Sequence, residues 1–158
     1  MDIESIKKTL PHSSRAPDVI SPDNAIEYIQ KMDMVNIEEK LQKKDPLISV
    51  KWSRPEVQQA IKYYRNFLVL NVKYGNKEII IPPSLEIDEI WHHHILDTRR
   101  YIVDCENIFG YYFHHYPYFG TRGTNDKKAL DFTFNTTQNL HLKEFGEYIY
   151  EIKTEFYE

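Results

Sequence analysis

The chain predicts a mainly α-helical single domain, an irregular bundle of about five helices with one long aromatic loop. Three observations predict it. Apolar residues recur at three- and four-residue spacing through 53–74, 85–109 and 125–146. Cap residues and prolines stand where those stretches begin, and glycines stand where they end. Strand-like character is confined to short stretches near 77–81 and 148–156.

Residues 1–20 mix Pro, Ser and charge without periodicity and read as a flexible arm. The domain proper is expected over 21–146 and a tail over 147–158. Ser21 before Pro22 is a helix start, and Ala25, Ile26, Ile29 and Met32 give that helix an apolar face to about Asp33. Asn36 and Glu39 form a capping-box pattern for a short second helix ending near Lys44, because Asp45 precedes Pro46. Ser53, Pro55 and Glu56 open a core helix through Val57, Ala60, Ile61, Tyr64, Phe67, Leu68 and Val72, with Gly75 as a left-handed stop. Ser84 caps a helix that runs from Leu85 to Phe109 and Gly110, or breaks near Thr98. "GYYFHHYPYFGTRG" is an aromatic loop, and its length is one at which loops usually carry function. Thr124 or Asn125 caps the last helix, with Leu130, Phe134, Thr137, His141 and Phe145 on one side and Gly146 at its end.

Bulk numbers narrow the function classes. At 158 residues the chain can bury a core without a metal or disulfide as a staple. The net charge of -4 supplies no field for a phosphate backbone, so no nucleic-acid partner is expected. Aromatic side chains make up 14% of the chain, twelve of them tyrosines, which suits contact surfaces that need apolar area and a polar tip. A single cysteine, Cys105, excludes an intrachain disulfide and fits a reducing compartment. With neither a signal-like stretch nor a membrane-length apolar run, a cytoplasmic location is expected, and secretion without a cleaved signal stays open.

Five of the seven histidines lie between 92 and 115. On the helix "SLEIDEIWHHHILDTRRY", Ile87, Ile90, Trp91 and His94 share one face, so His94 sits in an apolar stripe. A polar network of His94, Tyr101, Tyr64 and Cys105 is expected there. His93 lies opposite, beside Glu86 and Glu89, where a surface pairing with Glu89 is expected. His92 stands one turn after Asp88, so the pair can meet. If the loop folds back, Asp88, His92 and His115 supply three N/O ligands with an open position, as a catalytic zinc or a non-haem iron site requires. His94 and His114 are the alternate ligands. Asp88 and His92 can equally form a plain hydrogen bond holding the helix. Cys105 stands eleven residues beyond His94, and reads as a small buried hydrophobe.

Taken together, "YYRNFLVL", "PPSLEIDEIWHHHILDTRRYIVDCENIFGYYFHHYPYFGTRG" and "LDFTFNTTQNLHLKEFG" resemble the glycine-rich domain-containing protein-like family over about residues 53–146. The pattern rests on Asp88, Trp91, His92, His94, Asp97, Tyr101, Asp104, Cys105, Gly110, His114 and His115. The resemblance implies a domain and no reaction. With five glycines, this chain lacks the Gly-rich tail of the plant members.

Three readings follow. One is a helical binding module whose Asp/His/Tyr cluster fixes the loop and presents Tyr111, Tyr112, Tyr116, Tyr118 and Phe119 to a protein partner. A second is a metalloprotein or metal-dependent hydrolase using Asp88, His92 and a loop histidine. The third is a metal-free acid/base enzyme with His92 tuned by Asp88, and Arg99, Arg100 and Arg122 as anion contacts. The first, with zinc or iron at the cluster, is the reading preferred; whether the chain is an enzyme is left open, and no membrane partner is expected.

Overall fold

A computed structural model describes residues 20–43, 51–75 and 79–153. Among them the chain is mainly α-helical and forms one domain, with helices α1 (Pro22–Lys31), α2 (Val35–Leu41), α3 (Arg54–Tyr74), α4 (Leu85–Leu96), α5 (Thr98–Phe109) and α6 (Thr124–Phe145). The sixth helix arises because 85–109 breaks at Asp97. Neither expected β segment forms within the described residues: 79–81 and 148–153 carry no strand, and 77–78 and 154–156 lie outside them. The arm over 1–19 also lies outside, and the second helix ends at Leu41, short of the expected Lys44.

Local chemistry sets the helix starts. Ser21 Oγ accepts from Asn24 N–H at 3.3 Å, and Pro22 follows in the first turn. At α3 the capping box is complete. Ser53 Oγ accepts from Glu56 N–H at 3.5 Å while Glu56 Oε2 accepts from Ser53 N–H at 2.6 Å. The expected cap of α2 by Asn36 is not made. Asp33 Oδ1 accepts from Val35 N–H at 3.0 Å instead, and the helix starts two residues earlier than an Asn36 cap would place it. Nor does a side chain of Thr124 or Asn125 cap α6, whose preceding residue is Gly123. Asp126 reaches back from its first turn to Gly120 N–H at 2.8 Å and Arg122 N–H at 3.1 Å, tying the loop's end to the helix.

Gly75 ends α3 without turning left-handed, since its φ is -77°. A Cβ there would lie 2.8 Å from Asn71 O, so close approach, not positive φ, favours glycine. Gly110 does take the left-handed stop, with φ 73°.

Helix α3 is the axis of the domain. It packs against α1, α2, α4 and α6, and α5 completes the body against α1 and α4. Val57, Ala60, Tyr64, Phe67, Leu68 and Leu70 bury almost completely along it, joined by Ile87 and Ile90 of α4 and Trp52 before α3. Each of the Val, Leu, Ile and Phe side chains contributes about 1.5–3 kcal/mol by leaving water, which makes this the chief source of stability. Half-buried Arg65 of α3 donates to Ile29 O and, at 2.6 Å, to Met32 O, satisfying carbonyls at the end of α1.

The C-terminal segment is pinned to the body. Ile149 is buried, its N–H donating to Gln138 Oε1 at 2.8 Å and its carbonyl accepting from Gln138 Nε2 at 2.9 Å. Glu86, itself buried, accepts from the Ile152 and Lys153 N–H groups at 2.9 and 3.4 Å. These bonds place the tail over the side of α4 that the helical periodicity assigned to solvent. None of the helices among the described residues is long and apolar enough to cross a membrane.

Candidate functional site

The break after α4 builds the site. Asp97 holds φ -81° and ψ 68° and is the single residue between the two helices, capping the end of one and the start of the next. Helix α5 therefore leaves the line of α4 and packs against it. Residues ten apart in sequence, which would be about 15 Å apart on one straight helix, come into contact.

The first consequence is a buried chain of polar groups. His94 is 1% exposed. Its Nε2 lies 2.8 Å from Asp104 Oδ2, and its Nδ1 lies 2.7 Å from Tyr64 Oη. The carboxylate needs a donor, so Nε2 carries the proton and Nδ1 accepts from the Tyr64 hydroxyl. Tyr28 donates to Asp104 Oδ1 at 2.6 Å. Every atom of this chain is satisfied, so its role is to hold α1, α3, α4 and α5 in register. Burial first, then the bond to Asp104, pushes the Tyr28 hydroxyl up to about 12. Burial likewise raises Tyr64.

Tyr101 belongs to a second group. Its ring meets His94 edge-on at 4.9 Å between centroids, and its hydroxyl accepts from Trp91 Nε1 at 2.9 Å and donates to Phe113 O. Cys105 Sγ accepts from Phe113 N–H at 3.5 Å. Burial pushes the Cys105 thiol up to about 11, which leaves it protonated and poorly nucleophilic.

The second consequence is the return of the loop. Phe113 stacks on Trp91 at 5.0 Å and on Phe109 at 4.5 Å, and the His115 ring lies 4.4 Å from Trp91. The loop is thereby folded onto the helices, and His115 arrives beside Asp88 and His92. His115 Nε2 lies 2.7 Å from Asp88 Oδ1, His92 Nε2 lies 3.3 Å from Asp88 Oδ2, and the two imidazole nitrogens are 3.2 Å apart. Asp88, His92 and His115 thus offer one ligand atom each within a single small sphere.

Proton bookkeeping makes this cluster awkward by itself. If both rings carry a proton on Nε2 for the carboxylate, two N–H groups face one another at 3.2 Å with no acceptor between them. If His115 gives its proton up, a lone pair faces a carboxylate oxygen at 2.7 Å; if His92 does, one does so at 3.3 Å. Donors held 2.0–2.2 Å from a tetrahedral ion would stand about 3.3–3.6 Å apart, so the 2.7 Å contact of His115 with Asp88 would open by about 0.6–0.9 Å to hold one, and the 3.2 and 3.3 Å contacts by less. The chemistry of the donors, two imidazoles and a carboxylate, fits zinc and ferrous iron alike. The side chain of His92 is 47% exposed and that of His115 only 13%, so the cluster is open on its outer side.

The other predicted residues lie elsewhere. His94 is committed to Asp104 and Tyr64, and His114 stacks near Tyr112 at 4.7 Å. Neither joins the cluster. His93 pairs with Glu89 at 3.3 Å as the spacing implies, but its side chain is only 10% exposed. It is not a surface residue, because α4's outer side carries the tail held by Glu86. Of the loop aromatics, Tyr111 and Tyr118 are exposed, while Tyr112, Tyr116 and Phe119 are half-buried. Arg122 lies over the Tyr116 ring at 5.7 Å. Asp104, Tyr28 and Phe113 escaped the sequence-based site; the signal for Asp104 was its place in the family pattern, ten residues beyond His94.

A family model described as UCP032817-like matches residues 25–141. The chain belongs to the UCP032817-like family. The matched segment includes the whole Asp88, His92 and His115 cluster and the Tyr28–Asp104–His94–Tyr64 chain, so both are features of the UCP032817-like domain in this protein. The match carries no glycine-rich designation and no reaction. No curated protein and no solved structure matches the chain.

His141 closes the domain at the far end. Its Nδ1 donates to Glu147 O at 2.6 Å and its Nε2 accepts from Asn66 Nδ2 at 3.0 Å, an arrangement that requires the neutral ring. Burial is the main cause that holds its pKa below the ordinary 6.5. The unfolded chain therefore takes up this proton first, and stability present above pH 6.5 is lost as pH falls below it. Urea titrations across that range should show a smaller acid loss in His141→Gln than in wild type, and equal slopes would disprove the assignment.

Proposed function

We propose that this UCP032817-like protein is a helical metal-binding module in which Asp88, His92 and His115 hold one divalent ion of the zinc or iron class. The observation that carries the reading is the convergence of one carboxylate and two imidazoles, in pairwise contact at 2.7, 3.2 and 3.3 Å, from two elements far apart in sequence. Awkward protonation of the cluster supports it, since a cation at the centre relieves each repulsive arrangement. An ion there would fasten loop 110–123 to α4. Its likeness to glycine-rich domain-containing proteins over residues 53–146 adds no reaction to this reading, and the reduced, buried Cys105 goes with a cytoplasmic setting.

Tag-free protein incubated with zinc or ferrous iron and measured by elemental analysis should retain about one ion per chain, as a site of preformed ligands does. Asp88→Ala, His92→Ala and His115→Ala should each retain almost none, whereas His114→Ala should match wild type. Bound at 100 times its dissociation constant, the ion should stabilise the fold by about 2.7 kcal/mol. A wild type that retains neither metal overturns the proposal.

A metal-dependent hydrolase is the second reading, favoured by the exposure of His92 and the open outer side of the cluster. The ion would supply Lewis acidity to a carbonyl or to water. Zinc-loaded protein should then hydrolyse an activated ester above the buffer rate, and His92→Ala should abolish the excess. Equal rates from the two proteins would remove this reading.

The same loop presents Tyr111 and Tyr118 to solvent, and we assign a protein-contact role to them together with Tyr112, Tyr116 and Phe119. Once a partner is in hand, Tyr118→Ala should weaken its binding by at least about 1 kcal/mol, the level that marks an anchor residue. Unchanged affinity in Tyr111→Ala and Tyr118→Ala alike would count against the surface.

A further inference from the structure

Resting on the metal reading, a further inference concerns what aims His115. The histidine sits on a loop with no helical or strand bonds of its own, yet must reach Asp88 within a few tenths of an ångström. Two residues before it, the peptide groups of Phe113 are gripped on both sides. Tyr101 donates its hydroxyl to the Phe113 carbonyl, and Cys105 Sγ accepts from the Phe113 N–H at 3.5 Å. Both grips come from α5. Tyr101 is in turn fixed by Trp91, whose indole N–H bonds its oxygen at 2.9 Å and whose ring system stacks on Phe113 and lies against His115. Trp91 stands between Asp88 and His92 in sequence on α4, so the surface that supports His115 is built on the same turn as the other two donors.

We infer that Tyr101 and Cys105 are positioning residues for the metal cluster, acting through the backbone of Phe113 to place the His115 imidazole. Neither touches the ion. Their contribution is to hold the loop near its bound geometry beforehand, so that binding does not have to order it. Outer groups that orient ligands in this way typically change metal affinity by about 10- to 100-fold when removed. Burial keeps both the Tyr101 hydroxyl and the Cys105 thiol protonated, so the grip persists across the neutral range.

Calorimetric zinc titration of tag-free wild type, Tyr101→Phe, Cys105→Ala and Tyr64→Phe tests this. Tyr64→Phe is the structural control, because it removes a buried hydroxyl bonded to His94 at 2.7 Å without touching Phe113. Tyr101→Phe should bind zinc about 10- to 100-fold more weakly and Cys105→Ala several-fold more weakly, with Tyr64→Phe within about twofold of wild type. The cobalt-substituted Tyr101→Phe protein should also show altered visible absorption, since His115 would approach at a different angle. Should Tyr101→Phe fail to fold, the Cys105→Ala titration decides. Wild-type affinity in the folded Tyr101→Phe and Cys105→Ala proteins overturns the inference while leaving the metal reading intact. Equal weakening by Tyr64→Phe overturns it as well, because any core loss would then suffice. A wild type that binds no zinc, iron or cobalt overturns both.

Discussion

Asp97 is where the polypeptide leaves the line of one helix for the next, and the arrangement of both polar clusters depends on that break. With one residue between two helices, there is no loop to absorb error, so the packing of α5 on α4 has to be enforced by what lies across the contact. His94 and Asp104 face each other there at 2.8 Å, and Tyr64 and Tyr28 complete their hydrogen bonds from α3 and α1. A buried carboxylate left without such partners would be strongly destabilising, commonly by several kcal/mol. The pairing therefore does more than add stability. It penalises every other way of docking α5 on α4, including the straight helix that the apolar periodicity alone would permit.

Much of this was legible in the residues. The Ser53 and Glu56 capping box, the Ser21 start and the Gly110 stop carry their geometry in local chemistry, and each forms as its pattern implies. The face shared by Ile87, Ile90, Trp91 and His94 is likewise buried. Periodicity failed where a partner came from far along the chain. Glu86 and His93 read as solvent-facing because nothing near them says that residues 152 and 153 will lie across α4. Asp104 was missed for the same reason: its partner becomes visible only once the helix breaks, and a straight helix would hold the two about 15 Å apart.

The Asp88, His92 and His115 cluster divides in the same way. Asp88 and His92 are a turn apart, so helical spacing brings them together. The return of His115 follows from the aromatic residues beneath it, in which Trp91 and Phe113 stack at 5.0 Å and Phe109 and Phe113 at 4.5 Å. Stacked aromatic pairs contribute about 0.5–1.5 kcal/mol beyond the area they bury, enough to favour a docked loop over a solvated one. No spacing rule predicts which of two adjacent loop histidines will then face inward. In this fold His115 lies over Trp91 and His114 lies by Tyr112.

The two polar clusters differ in a way that bears on function. In the Tyr28–Asp104–His94–Tyr64 chain each donor meets an acceptor, and His94, Asp104 and Tyr64 are buried, so these groups are committed to one another. The Asp88, His92 and His115 cluster is the reverse: it concentrates acceptors, leaves an outer side open and, with Asp88 ionised, has no protonation pattern that satisfies every contact. Satisfied networks hold folds, while local conflict that the surrounding structure sustains is characteristic of sites that bind something. Here that support is visible, since the Phe113 backbone and Trp91 hold His115 in place against the conflict, which is why the exposed cluster and not the more deeply buried one carries the functional reading.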